Sequence, residues 1–168
     1  KFEATFFNFE FPHNVLNLRR PVLDAPDGPL PEAEIHARLC EATGMLNDEI
    51  YAPLRKAAKI SRADFAAAFF ALMTERRDLG RLAPVILYRT LGESLPHGAA
   101  AAAVLWQAAH SCARNFPAGV ERAGYGSGIE AGEKLFEAIL ESPSGVVITD
   151  DEYDESWNRL KTAEGKIT

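Results

Sequence analysis

The sequence predicts a mainly α-helical protein with a short N-terminal β-strand or hairpin and a minor strand near Val146. Three observations support this fold class. Phenylalanines alternate with polar residues at the N-terminus, and apolar residues recur at helical spacing from residue 31 onward. Alanine, which favours helix, is frequent and fills residues 99–103. A chain of 168 residues is long enough for one domain with a hydrophobic core.

The N-terminal strand is predicted from residues 1–11, which read KFEATFFNFEF. Phe7, Phe9 and Phe11 alternate with Asn8 and Glu10, and this period of two is typical of a half-buried strand. Such a strand needs neighbours on its edges and a cover on its apolar face. Because nothing before it supplies either, we expect the strand to be covered by later residues of the chain or by a larger α/β enzyme of which this chain is a fragment. We favour the larger enzyme.

An extended, proline-rich strip follows, and together with the strand it makes up residues 1–30. The remaining residues, 31–168, are predicted to form a helical body within the same domain. Apolar residues between the prolines indicate that the strip is buried or lies along the surface: Val15, Leu16, Leu18, Val22 and Leu23. Pro26 and Gly28 predict a turn, since proline presets φ and glycine accepts a positive φ.

The first predicted helix begins at Pro31 and ends before Gly44, because proline suits a first helical position and glycine a C-terminal cap. Ile35, Leu39 and Ala42 form one of its faces.

The same signals predict the later elements. Helices are expected over 47–59 with a kink at Pro53, from the capping box at Ser61 to near Gly80, and over 83–91, 98–115 and 128–141. The helix over 98–115 is expected to be the longest. A last helix is predicted after the capping box at Thr149, running through Leu160. The predicted core consists of Phe65, Phe69, Leu72, Leu87, Leu105, Leu135 and Ile139.

Composition excludes several classes of function. A net charge of −6 and an isoelectric point near 5.3 argue against a general surface for nucleic acid or anionic membrane, since both require a basic patch. No apolar run approaches the roughly 20 residues of a membrane span. Cys40 and Cys112 are far apart and most simply small buried hydrophobic residues, without a disulfide. We expect a cytoplasmic location.

A glycine-rich loop, AGYGSGIEAG over 123–132, precedes a clear helix. Gly126-x-Gly128-x-x-Ala131 matches the spacing of a dinucleotide fingerprint, in which small residues let phosphate reach backbone N–H groups. The fingerprint requires a strand immediately before it, and residues 116–123 do not have strand character. The favoured interpretation is therefore a tight loop that leads into a helix.

Other candidate groups do not assemble into a site on sequence evidence. The acidic run at 150–155 lacks the glycine and the terminal glutamate of a calcium loop, and first-turn acids on a helix dipole explain it. The histidines at 13, 36, 97 and 110 do not cluster and do not match a metal-ligand motif. No catalytic or metal-ligating residue is predicted.

One stretch carries a family resemblance. Residues 3–10, EATFFNFE, resemble the segment of molybdopterin-dependent oxidoreductases that follows the last strand of their cofactor-binding α/β core. The proline-rich crossing at 18–23 and the helix within 29–39 resemble the parts that come next. LYRTLG at 87–92, Leu135-Phe136 and SGVV at 144–147 resemble later parts of one branch of that family.

The resemblance implies a parent enzyme that holds molybdenum or tungsten between two pterin guanine dinucleotides and uses an iron–sulfur relay. The metal and its pterins carry the two-electron chemistry, while the protein supplies orientation and electrostatics. The chain has no iron–sulfur cysteine cluster, so the cofactors are expected in the parent. The resemblance further implies that the chain is a scaffold segment, inactive by itself, whose partner is the remainder of the enzyme. Thr5 and Asn8 are the two positions carried over as pterin contacts.

Two alternatives stay open. In the first, the chain is a free-standing helical interaction module whose aromatic strand adds to the sheet of a partner or forms a dimer. In the second, it is a small nucleotide-binding protein that uses the glycine loop. Structural hydrogen bonding at the end of a strand is the alternative role for Thr5 and Asn8.

Overall fold

The computed structural model describes residues 4–9, 13–24, 26–96 and 98–150 of the chain. It is mainly helical and contains a three-stranded antiparallel sheet, as the sequence predicts. The elements are β1 (Thr5–Phe9), β2 (Asn14–Arg19), α1 (Glu32–Ala42), α2 (Asp48–Ile60), α3 (Arg62–Glu75), α4 (Ala83–Arg89), α5 (Val104–Asn115), α6 (Pro117–Val120), α7 (Ile129–Glu141) and β3 (Val146–Thr149). Phe11 of the predicted strand and the helix predicted after Thr149 lie outside the described residues.

Local signals in the sequence set most of the observed boundaries. The Ser61 hydroxyl accepts a hydrogen bond from the backbone N–H of Asp64 at 3.0 Å and so caps α3, as predicted. Gly44 has a φ of 72°, the left-handed conformation expected just after α1. Among the described helices, none combines the length and the apolar character that a bilayer crossing requires.

Three stretches differ from the prediction. The helix expected from Ser61 to near Gly80 ends at Glu75, and a 3-10 helix follows at Arg77–Leu82. The helix expected over 98–115 begins with a 3-10 turn at Ala100–Ala103 and becomes α-helical only at Val104, so α3 with 14 residues is longer. Alanine favours both geometries, and helix ends are often 3-10. Helix α6 and the π-helical turn at Glu121–Tyr125 were not predicted, because Gly119 and Gly124 weaken the helical signal.

The chain divides into two compact units. Unit 1 comprises residues 1–6 and 19–107, and unit 2 comprises residues 7–18 and 108–168. Each is described below by itself.

The core of unit 1 is aromatic. The fully buried Trp106 ring makes edge contacts with Phe65 and Phe69, with ring centres 5.3 and 5.4 Å apart, and stacks on Phe70 at 5.4 Å. Edge and offset arrangements of this kind are the favourable ones for aromatic rings. Four predicted core residues of this unit are buried, namely Phe65, Phe69, Leu87 and Leu105. The prediction for Leu72 is wrong, because it is only half-buried, and Trp106 was missed.

Helix α1 is held against α4 by an ion-pair cluster. The Arg89 guanidinium donates to both carboxylate oxygens of Glu34 at 2.6 and 3.2 Å, and to both of Glu41 at 2.7 and 3.0 Å. Tyr88 and Arg38 donate further hydrogen bonds to Glu34. The side chains of Arg89 and Glu34 are only 19% and 15% exposed, so these bonds are partly shielded from water.

The Glu34 carboxyl of this cluster has a lowered pKa. Burial alone raises the pKa of Glu34, but hydrogen bonds from Arg38 and Arg89 outweigh it and lower the pKa overall. Burial alone would lower the Arg89 pKa, but its hydrogen bonds to Glu41 and Glu34 outweigh burial and raise it. The pair of Glu34 and Arg89 is therefore charged at neutral pH.

The cluster also decides which face of α1 is inside. Glu34, the fully buried Ala37 and Glu41 face the body of unit 1. The apolar face at Ile35, Leu39 and Ala42 is consequently on the outside, with Ile35 45% and Leu39 56% exposed. Helix α1 thus reverses the usual orientation of an amphipathic surface helix.

Unit 2 contains α7, β3, residues 7–9 of β1 and residues 14–18 of β2. The strand order of the sheet is β1-β2-β3. Strands β2 and β3 are antiparallel, with Asn14 opposite Thr149 and an irregularity before Val15. The Asn14 amide donates to the Thr149 hydroxyl at 2.7 Å. Helix α7 buries the predicted core residues Leu135 and Ile139, as well as Phe136.

Replacing Arg89 with methionine is expected to destabilise the protein by about 3 kcal/mol, because Glu41 loses the Arg89 cation and Glu34 keeps only its pair with Arg38, whose side chain is mostly exposed. Urea unfolding measures this difference. Arg76→Ala is the control, because Arg76 pairs with Asp78 in an exposed position and its loss should change stability little. Equal stabilities for Arg89→Met and the wild type would show that the cluster does not hold α1.

Alkaline pH is expected to destabilise the protein through Tyr51. Burial, followed by the charge of Glu41, raises the Tyr51 pKa to about 12 from 10.0. A raised pKa stabilises the fold below the unfolded value of 10.0, and this contribution is lost as the pH rises through about 12. Tyr51→Phe should lose less stability than the wild type between about pH 9 and about pH 11.5 in urea unfolding. Parallel losses in both proteins would contradict this.

Candidate functional site

A cavity of about 940 Å³ lies within unit 1. Five separate stretches form its walls: the start of β1, the proline-rich strip, the first turns of α1, helix α4, and residues 98–104. Its volume is in the range of small-molecule sites, and most of its lining is apolar.

The walls are conformationally restricted. Pro21, Pro31 and Pro84 all line the cavity, and the proline ring fixes φ. Gly98 has a φ of 77°, and a Cβ atom at this position would lie 2.7 Å from Cγ of Pro21. Glycine is therefore required here both by backbone conformation and by the closeness of the proline ring.

The charged groups of the lining are carboxylates. Asp24 and Glu32 both line the cavity, and no lysine or arginine does so among the described residues. His36 also lines it, and its Nε2 lies 3.6 Å from Glu32 Oε1. The cavity therefore combines mostly apolar walls with two carboxylates and an imidazole.

Tyr88 and Phe6 supply the aromatic surface of the cavity. The Tyr88 hydroxyl donates to Glu34 Oε2 at 3.1 Å. Burial and the nearby Glu34 charge raise the Tyr88 pKa, so the phenol is neutral at physiological pH. Phe6 is 48% exposed.

The two residues proposed as pterin contacts are placed differently. Thr5 is half-buried and lines the cavity, whereas Asn8 is exposed and is not part of the lining. Since they are three residues apart in β1, their side chains project from opposite faces of the strand. The structure does not bring them to one site, and their role as pterin contacts stays a prediction.

The cavity lining does not fit the pyrophosphate of a pterin dinucleotide. That group is an anion, whereas the described lining residues include Asp24 and Glu32 and no lysine or arginine. Thr5 offers a single hydroxyl. We therefore assign no pyrophosphate contact to this cavity.

The glycine-rich loop is a connection between helices. Helix α6 and the π-helical turn precede it, where a dinucleotide fingerprint requires a strand. Gly124, Gly126 and Gly128 have φ values of 98°, 76° and 73°, which explains the choice of glycine without a ligand.

Gly132 has a packing role. A Cβ atom at this position would lie 2.5 Å from His110 Nδ1 and 2.9 Å from the His110 Cα atom. His110 is in turn buried and lies 3.0 Å from Glu133 through its Nε2 atom. The glycine thus lets α7 approach the His110 backbone.

The remaining candidates do not form a metal centre within the described residues, where no group of three potential ligands occurs. His13 is exposed, and His97 lies outside the described residues. Cys40 and Cys112 are half-buried and are not joined in a disulfide. Of the acidic run, only Asp150 is described.

Most of the cavity could not be recognised in the sequence. Asp24, Glu32, His36 and Tyr88 come from three distant segments, and their spacing matches no motif. The prolines mark the strip as extended but do not indicate what it faces.

Comparison with family models, curated proteins and solved structures finds no significant match to the chain.

Gly132→Ala is expected to destabilise the protein by about 1–3 kcal/mol, because the added methyl overlaps the His110 backbone, which cannot move as a side chain can. Thermal unfolding measures the loss. Gly80→Ala is the matched control: a Cβ atom at Gly80 meets nothing within 4 Å, so this variant should be neutral or slightly more stable. Equal melting temperatures for the two variants would refute the packing role.

Proposed function

We propose that the chain is a scaffold segment of a molybdopterin-dependent oxidoreductase and has no catalytic activity by itself. The resemblance of residues 3–10, 18–39, 87–92 and 135–147 to that family is the reason for naming it. Metal and pterins belong to the remainder of the enzyme, which is consistent with a cavity lining unsuited to pyrophosphate.

The outward apolar face of α1 is the observation that supports a scaffold role best. Ile35 and Leu39, one turn apart on α1, are about half exposed, and Val22 and Leu23 of the proline-rich strip are 83% and 65% exposed. Exposed apolar residues next to one another usually mark a surface that another protein part covers. In the proposal, this part is the remainder of the parent enzyme.

The edge position of β1 favours a second candidate function. Strand β1 is outermost in the sheet order, and Phe6 and Phe7 are 48% and 37% exposed. An exposed edge strand with aromatic side chains suits addition to the sheet of a partner or of a second copy. A free-standing interaction module of this type would contain neither metal nor pterin.

Cofactor analysis separates these two functions. The parent protein, expressed in a host that makes the pterin cofactor, should contain molybdenum or tungsten by elemental analysis and release a fluorescent pterin. A parent protein that lacks both contradicts the oxidoreductase proposal and favours the interaction module.

Charging the outward face of α1 should affect the parent enzyme but not the isolated chain. Ile35→Glu/Leu39→Glu places two charges on a face that is already exposed, so thermal unfolding of the isolated chain should change little. In the parent enzyme the same charges would be buried, and its cofactor content and melting temperature should both fall.

The matched control is Ala67→Glu/Ala71→Glu, which adds the same charges at the same spacing on exposed positions of α3. It should leave the cofactor content of the parent unchanged. Equal behaviour of the two double variants in the parent would contradict a specific role for the α1 face.

A further inference from the structure

We propose that the cavity of unit 1 binds an uncharged, largely hydrocarbon small molecule and disfavours charged molecules of the same shape, whether cationic or anionic. The proposal is independent of the proposed function, because every described residue that lines the cavity belongs to unit 1 of this chain.

Each polar side chain of the described lining already interacts within the chain. The Tyr88 hydroxyl donates to a carboxylate of the ion-pair cluster. His36 Nε2 lies 3.6 Å from a carboxylate oxygen of Glu32. Thr5 and Asp24 are each engaged in an interaction of their own. Because sites for polar ligands present polar groups that need the ligand as their partner, this lining offers a ligand apolar contact instead.

Solvent exposure separates the charged part of the lining from the apolar part. Asp24, Glu32 and His36 are all exposed, so their polar ends stay hydrated. The buried and half-buried part consists of alanines, valines and prolines together with Thr5 and Tyr88, and it contains no charged side chain among the described residues. A charged ligand group that entered this part would lose its hydration without gaining a counter-charge.

Short and rigid residues keep the cavity open. Four alanines, at positions 4, 33, 100 and 101, contribute side chains of a single methyl group to the walls. Three prolines restrict the backbone, and Gly98 lies directly against one of them, Pro21. The cavity therefore needs little ordering when a ligand enters, and affinity depends chiefly on the apolar area that the ligand buries.

A series of neutral alcohols tests the apolar character of the site. The series is 2-phenylethanol, 4-phenylbutanol and 6-phenylhexanol, measured by titration calorimetry on the whole chain. Each step adds two methylene groups and should lower the dissociation constant about tenfold. The heat capacity change of binding should be negative. A dissociation constant that does not fall along the series overturns the proposal.

Two ions with the skeleton of the longest alcohol test the exclusion of charge. At neutral pH, 6-phenylhexylamine is a cation and 6-phenylhexanoate is an anion. Both should bind with dissociation constants about fivefold higher than that of 6-phenylhexanol, because burial of a charge is unfavourable. If either ion binds as tightly as the alcohol, the proposal is overturned.

Footprinting of the wild type tests the location. Val22 and Leu23 line the cavity and are largely exposed without a ligand. Saturating 6-phenylhexanol should reduce hydroxyl-radical labelling of both residues. Ile60, which is exposed to a similar degree but does not line the cavity, should be labelled as before and so controls for scavenging of radicals by the alcohol. Unchanged labelling of Val22 and Leu23 relative to Ile60 would overturn the proposal.

Occluding variants test the location a second time. Ala101→Phe and Ala33→Phe each add a ring at a half-buried lining position and should abolish binding of 6-phenylhexanol. Ala67→Phe makes the same substitution at an exposed position of α3 outside the lining and should leave the affinity unchanged. Circular dichroism identifies the folded variants, and wild-type affinity in a folded occluding variant overturns the proposal. If neither occluding variant folds, the footprinting of the wild type decides.

Discussion

Unit 1 depends on one constraint, the bidentate hydrogen bonds that Arg89 donates to the carboxylates of Glu34 and Glu41. One guanidinium satisfies two carboxylates that are seven residues apart on α1, so it fixes both the position and the rotation of that helix against α4. Burying these three charged groups is tolerable only because each is paired and hydrogen-bonded. The rotation has two consequences: it turns Ile35 and Leu39 outward, and it brings the first turn of α1, with Glu32 and His36, to the wall of the cavity.

The two surfaces created in this way have different chemistry. The outward face of α1 is apolar and suits coverage by another part of a protein, as the proposed scaffold role requires. The cavity has mostly apolar walls, and its described lining includes Asp24, Glu32 and His36. In unit 2, a positive φ explains Gly126 and Gly128 of the fingerprint spacing, and packing on His110 explains the neighbouring Gly132.

Elements set by local signals could be predicted, and features set by tertiary contacts could not. The Ser61 cap, the left-handed Gly44 and the strand at Val146–Thr149 follow from neighbouring residues alone. The apolar period of α1 correctly placed Ile35 and Leu39 on one face, but the period could not reveal which face is buried. That choice depends on Arg89, which is 48 residues from Glu41 and was not recognised as its partner. The cavity was missed for the same reason, since its lining comes from five separate stretches.

Solvent labelling of α1 in the isolated chain and in the parent enzyme tests the central claim, that the Arg89 cluster presents an apolar face for coverage by a larger protein. In hydroxyl-radical footprinting, Ile35 and Leu39 should be labelled readily in the isolated chain and protected in the parent, while the buried Leu54 should stay protected in both. Equal labelling of Ile35 and Leu39 in the two proteins would contradict coverage of this face. Protection of both residues already in the isolated chain would contradict the orientation of α1 itself.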